Sequence, residues 1–208
     1  MGRIERARLA YERAVFAGDG GGVVGAEREL DQVEADLAVA RGRLMHARFL
    51  DGEPAQEREL ELFETAVRLY RGLGDVRGEG EGLFWVGVFL QVVRGDHEAA
   101  RPALERSREL AEQAGDKLTL SYALRHLGIA EHVAGRLVGA RERLEESVRL
   151  RKEVGFSAGV AANLVGLAHV AVDEGRRGDA VVLLDEAEVL AEGAGRVMRS
   201  VEEARGRL

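Results

Sequence analysis

The sequence predicts an all-α fold, a right-handed α-solenoid of stacked antiparallel helix pairs, and three observations carry that expectation. Glycines recur at a period of forty: Gly95, Gly135 and Gly175 form one series, and Gly115, Gly155 and Gly195 another. Between them, apolar residues recur at three- and four-residue steps, the stripe of an amphipathic helix. Strand signals are nearly absent, with no sustained alternation of apolar and polar residues and no Asn-Gly hairpin. A fixed period of this length marks a repeat architecture, in which each unit covers the apolar face of the next.

The segments between the glycines align with one another. Leu104-Glu105-Arg106-Ser107 precedes Leu110, Leu144-Glu145-Glu146-Ser147 precedes Leu150, and Leu184-Asp185-Glu186-Ala187 precedes Leu190. An earlier copy, Phe63-Glu64-Thr65-Ala66 before Leu69, fits after two extra residues behind Gly52. Each copy reads as two helices. In the third, Leu120, Leu124, Leu127 and Ala130 form one stripe ended by Gly135, and Leu137, Ala140, Leu144, Ser147, Val148 and Leu150 form the next, ended by Gly155. The reading in order is helices over 3–17, 23–51, 54–72, 76–94, 97–114, 117–134, 137–154, 158–174, 177–193 and 196–207. One domain over 1–208 follows, with N-terminal helices in 1–37, about four copies in 38–195 and a capping helix in 196–208. Ile4, Tyr11, Ala14 and Val15 are expected to cap one end, and the tail from Val197 to Leu208 the other.

Leu124-x-x-Leu127-Gly128, Gly135-Arg136, Ala140, Leu144 and Ser147 resemble tetratricopeptide repeats, as do Leu164-x-x-Leu167-Ala168, Gly175-Arg176, Ala180, Leu184 and Ala187. The small residues let paired helices approach closely. The common repeat has 34 residues, so the period here resembles the longer variety of bacterial regulators and stand-alone actinobacterial proteins. The resemblance extends from about residue 38 to 195 and implies a superhelix whose concave face is built mainly from the first helix of each pair. Three departures stand out. Gly87 lies eight residues before Gly95, where Gly128 lies seven before Gly135, which leaves the register of the second copy open by one residue. Pro102 falls inside a helix, which costs a hydrogen bond and predicts a kink. Met45 stands where a glycine or alanine is usual.

Composition narrows the function. With 30 Lys plus Arg against 37 Asp plus Glu, the formal net charge is −7, which argues against nucleic acid as the main partner. Cysteine is absent, so disulfides and thiolate chemistry are excluded. No apolar run approaches the ~20 residues of a membrane span, and the start Met1-Gly2-Arg3-Ile4-Glu5-Arg6 has no signal-peptide core, so a cytoplasmic chain without membrane contact is expected. Lysine occurs only at Lys117 and Lys152; the other basic residues are arginine, as codon bias in a GC-rich genome produces.

No cofactor is expected. Gly20-x-Gly22-x-x-Gly25 matches a dinucleotide fingerprint, but it follows a helix rather than a strand and belongs to no parallel sheet. Five histidines occur, at His46, His97, His126, His132 and His169, and none forms an i, i+3 or i, i+4 pair with a third ligand, so no metal is expected. His97 reads as a surface residue of a first helical turn.

Projecting the period onto the first helices gives the groove. The third copy contributes Tyr122, Arg125, Ile129, His132 and Val133, and the fourth Ala162, Val165, His169 and Val172. The second contributes Trp85, Phe89 and Val92, shifted by one if Gly87 anchors the register, and the first His46, Phe49 and Leu50. Aromatic residues are only 5% of the chain, yet Phe84, Trp85, Phe89 and Tyr122 gather in two neighbouring helices. Arg125 is suited to a carboxylate by its planar fork, with an internal pair to Glu131 or a neighbouring copy as the alternative. The expected function is a non-catalytic scaffold that binds a protein or peptide in this groove, through Trp85, Phe89, Tyr122, Arg125, Ile129, His132 and His169. The alternative is a small-molecule receptor or enzyme that uses the groove as a pocket, with His132 or His126 as acid or base. A third reading is assembly into a homodimer through an exposed terminal face.

Overall fold

A computed structural model describes residues 1–208. Ten α-helices follow one another without a strand: α1 (Arg3–Phe16), α2 (Val23–Leu50), α3 (Glu57–Leu73), α4 (Val76–Val88), α5 (His97–Ala114), α6 (Lys117–Val133), α7 (Leu137–Glu153), α8 (Ser157–Asp173), α9 (Arg177–Leu190) and α10 (Gly195–Arg205). A π-helical turn, Phe89–Val93, extends α4. Helices α2/α3, α4/α5, α6/α7 and α8/α9 pack as pairs, each pair packs on the next, and the molecule is an all-α helical-repeat solenoid.

The caps explain why the helices start and stop where they do. Asp75, Asp96 and Asp116 each accept the backbone N–H three residues on, at 2.9, 2.9 and 3.1 Å. At the other ends Gly74, Gly95, Gly115, Gly135, Gly155 and Gly175 take φ between 66° and 78°, the left-handed conformation that closes a helix and that side chains resist. The last copy corrects the expected series: Gly193, at φ 78°, makes the turn, and Gly195 instead begins α10. α3 begins at Glu57 rather than at 54, and α5 runs continuously through Pro102 to Ala114.

Between the two helices of a pair, small residues set the distance. A Cβ on Gly128 would lie 3.0 Å from Leu144 Cγ and 3.2 Å from the Ala140 carbonyl oxygen; one on Gly87 would lie 2.6 Å from Leu104 Cγ and Cδ2. In α2 the same close approach falls to Gly42, against the ring of Phe63, rather than to the position of Met45. Ser107 donates to the Gly80 carbonyl at 2.7 Å and Ser147 to the Ser121 carbonyl at 2.5 Å, so the hydroxyls fasten equivalent crossings in two copies. Gly87→Ala is expected to lower the unfolding free energy by about 1–2 kcal/mol through overpacking against the buried Leu104. Gly178→Ala, in open space at the start of α9, is expected to raise it by about 0.5 kcal/mol. Urea titrations of the two variants check both signs.

The π-helical turn settles the register of the second copy. The caps Asp75 and Asp96 stand 21 residues apart, whereas Asp116 and Arg136, and Phe156 and Arg176, stand 20 apart. The extra residue is absorbed where the Arg94 N–H reaches back five residues to the Phe89 carbonyl. Gly87 is therefore the counterpart of Gly128, and Phe84 and Trp85 are the counterparts of Arg125 and His126.

The solenoid curves toward its first helices. α2 touches α4, α4 touches α6, and α6 touches α8, so the first helices form the crowded inner layer. At the ends of that layer, Arg196 at the start of α10 donates to the Leu50 carbonyl at 2.9 Å and pairs with Asp51 at 2.5 Å, next to the end of α2. α10 itself packs on α8 and α9, burying Val201 and Ala204. α1 packs on α2 along Arg6, Ala7, Ala10 and Ala14; contrary to expectation Ile4, Tyr11 and Val15 face solvent, because the small alanines permit the closer approach.

Candidate functional site

The inner layer carries a chain of aromatic rings. Phe63 stacks on Trp85 at 5.5 Å, Trp85 meets Phe84 edge-on at 5.0 Å, and Phe84 stacks on Tyr122 at 5.3 Å. Tyr122 then meets Phe156 edge-on at 6.1 Å, so the rings bridge α3, α4, α6 and the start of α8. Trp85 and Tyr122 are half-buried. Arg43 lies 5.4 Å over the Trp85 ring, and Arg151 lies 4.9 Å over Tyr122 and 5.5 Å over Phe156.

The expected groove residues divide into two sets and one exception. Trp85, Tyr122 and Arg125 stand around the aromatic chain. Arg125 donates through Nη1 to the Ala162 carbonyl at 2.7 Å and to Asn163 Oδ1 at 3.0 Å, so its internal partner is the neighbouring copy and not Glu131. His132 and His169 stand together further along the groove, with Ile129 half-buried on the same face of α6. A cavity of about 310 Å³ lies there between α6, α8 and the end of α10, bounded also by Asp173 and Arg207. His132 Nε2 is 2.7 Å from Asp173 Oδ2. Burial, with Arg207 and His132 nearby, lowers the His169 pKa, so that its ring is neutral near pH 7.

Phe89 is the exception. It is 1% exposed and cannot touch a ligand: in the register set by Gly87 it is the counterpart of the buried Ala130, and Arg94 covers its ring at 5.4 Å. Val165 is likewise buried.

Gln91 and Glu59, which lie outside the stripes legible in the sequence, hold the floor of the site together with His46, His97 and His126. Gln91, buried in the π-helical turn, donates to the His126 carbonyl at 2.9 Å and meets His126 Nδ1 at 2.5 Å through its Oε1. Its amide also reaches His97 Nδ1 at 3.1 Å, so His97 is part of this network rather than a free surface residue. Burial first, and then the charges of Arg125 and Arg151, push the His126 pKa down to about 3, which keeps it neutral and removes it as a proton donor near pH 7. His46 Nδ1 lies 2.9 Å from Glu59 Oε1, with both groups buried. Burial raises the Glu59 pKa to about 7 and lowers that of His46, whose ring meets Trp85 edge-on at 5.7 Å. No three histidine or carboxylate side chains converge closely enough to hold a metal ion.

Glu131 joins the second and third copies. It accepts from Arg101 at 2.7 Å and from Arg136, and the Arg136 hydrogen bond is the main reason its pKa is depressed to about 2. A depressed carboxylate stabilises the fold above its unfolded pKa and loses that contribution as pH falls through its folded value. Glu131→Gln is therefore expected to cost about 2 kcal/mol at pH 7, after allowance for the solvent around Arg136, and the gap from wild type should close between pH 4.5 and about 2. Urea denaturation of both proteins across that range measures it.

No helix is long and apolar enough to cross a membrane. No curated protein matches the chain. Residues 83–153, from within α4 to the end of α7, match the family model of the tetratricopeptide repeat, a repeat that generally mediates protein–protein interaction. That match and the all-helical architecture together support a protein of the tetratricopeptide-repeat type.

Proposed function

We propose that the chain is a non-catalytic cytoplasmic scaffold of a bacterial regulatory system, the whole of 1–208 acting as one unit, and that it holds a segment of a partner protein on its concave face. The observation that carries this reading is the continuous strip of half-buried, chemically mixed side chains over three first helices. Trp85 on α4, Tyr122, Arg125 and Ile129 on α6, and His169 on α8 combine aromatic area, an aliphatic side chain, a fork of donors and a neutral imidazole. Such anchors dominate binding energy where they are fixed before the partner arrives. These are fixed by ring stacking and by the bonds from Arg125 to α8.

The test is capture from lysate of the source organism by wild type and by two variants. One, Trp85→Ala/Arg125→Glu, changes the concave face; the other, Val182→Asp/Val189→Asp, changes exposed positions on α9. A protein held by wild type and by the α9 variant, and lost by the first, is the expected result. Loss with the α9 variant alone would overturn the concave assignment.

A second reading attaches to the cavity of about 310 Å³ beside His132 and His169, which has room for a small organic molecule. Mass spectrometry of small molecules retained by the purified chain separates it from the first. A compound lost on His169→Ala with no captured protein would favour this reading.

A further inference from the structure

The most deeply buried arginine, Arg151, and its neighbour Arg125 have no carboxylate partner. Arg151 is 2% exposed and donates through Nη1 to the Gly159 carbonyl at 2.7 Å and to Asn163 Oδ1 at 3.2 Å, and through Nε to Ser121 Oγ at 3.3 Å. Arg125 shares the same Asn163 oxygen at 3.0 Å. Every one of these acceptors is uncharged. Elsewhere the interior arginines are paired: Arg101 with Glu131, Arg141 with Glu174, Arg143 with Glu105. Two cations thus converge on one amide oxygen in a protein whose net charge is −7. Burial lowers Arg125 to about 10 and, together with the charge of Arg125, Arg151 to about 9, the mark of cations without a counter-charge.

The repeat itself shows that this cluster departs from the packing of its neighbours. Arg151 occupies the position of Ala111 and Ala191, both buried. Asn163 stands where the third copy has the buried Ala123, and Arg125 stands where the adjacent copies have the buried Phe84 and Val165. Three positions that are apolar in other copies are polar here, and their side chains meet one another. Uncompensated charge in an interior costs stability that an apolar set avoids, and departures of this kind collect at functional sites. Each guanidinium also keeps a donor in reserve. Nη2 of Arg125 and Nη2 of Arg151 make no hydrogen bond within the protein, yet neither is sealed from the surface.

We infer that Arg125 and Arg151 together form a binding site for an oxyanion, a carboxylate or phosphate group, at the groove floor between the third and fourth copies. Its oxygens take the two free Nη2 donors, and the rings of Tyr122 and Phe156 wall the site against Arg151. The oxyanion is supplied by a free small anion or by an acidic side chain of a segment lying in the groove. Only the second source rests on the scaffold reading.

The experiment has an arm for each source. Thermal melts of the full chain in sodium phosphate are compared with melts in sodium chloride at equal ionic strength. Separately, the fluorescence of Trp85, the single tryptophan, is titrated with acetyl-(Glu)6-amide and with acetyl-(Gln)6-amide. The free-anion source predicts a Tm about 5 °C higher in phosphate at ~50 times its Kd. The peptide source predicts a saturable response to the glutamate peptide and none to the glutamine peptide. In either case Arg125→Gln abolishes the response. Arg151→Met abolishes it while leaving the Tm in chloride unchanged or raised, because an apolar side chain replaces a buried cation. Absence of both responses in wild type, or their persistence in both variants, would overturn the site. Loss of partner capture with the phosphate response intact would overturn the scaffold reading alone.

Discussion

Shortening Leu144 to alanine is expected to lower the unfolding free energy by about 3 kcal/mol, the largest single-site loss of stability anticipated for this chain. Leu144 is 1% exposed on α7 and fills the space that Gly128 leaves open on α6, while its methyl groups also approach Gly166 on α8. It therefore packs within its own pair and against the next, so its removal opens a void that neither pair closes by moving alone. Loss of transfer free energy and the residual cavity both contribute. In urea, the midpoint should fall with little change in slope, because the surface exposed on unfolding stays nearly the same. A loss below about 1 kcal/mol would mean that the copies close up on the void, contrary to a close-packed seam.

The second large effect concerns binding. Trp85→Ala/Arg125→Glu is expected to weaken the captured partner by at least about 30-fold, the scale of a hot-spot loss of about 2 kcal/mol. The two substitutions act differently. Removing the indole takes away the aromatic surface beneath Arg43, leaves Phe63 without its stacking partner and deprives Phe84 of an edge-on contact. A carboxylate at position 125 stands beside Arg151 and supplies the anion from within the chain, so it occupies the site that a partner's acidic group would take. Titration calorimetry of the identified partner with each single variant separates these contributions. The Arg125→Glu loss should shrink as salt rises, and the Trp85→Ala loss should not.

Much of this architecture is legible in the sequence because the physics that fixes it is local. A glycine that ends a helix at positive φ, an aspartate that begins one and a leucine stripe at helical spacing each act within a few residues, and together they locate every helix. Gly193 shows the limit: its turn replaces the one expected at Gly195, since α9 is shorter than its counterparts and the period ends there. The π-helical turn shows another. One extra residue between Gly87 and Gly95 is visible, but how a helix absorbs it is a tertiary matter, and that choice fixes which residues of the second copy correspond to those of the third.

The groove was expected from projecting the period: Tyr122 and Arg125 stand where Gly128 sets the register, whereas the register set by Gly87 makes Phe84, and not Trp85, the counterpart of Arg125. Arg151, Asn163 and Gln91 are not legible in the outward stripe of the first helices, because all three are buried and Arg151 lies on a second helix. A signal was present in the repeat. Arginine at Arg151, where the second and fourth copies hold Ala111 and Ala191, breaks a position that is small and buried in both, and asparagine at Asn163 breaks the one held by Ala123. Alignment of the copies at their buried positions exposes both of these departures, whereas Gln91 lies in the π-helical turn and has no such counterpart.

Hydrogen–deuterium exchange of the chain, alone and with its captured partner, tests the central claim most directly. If the first helices form the binding face, protection on complex formation falls on segments of α4, α6 and α8, strongest over 81–85, 118–129 and 162–169. Protection confined to α5, α7 and α9 would place the partner on the convex face and contradict the account.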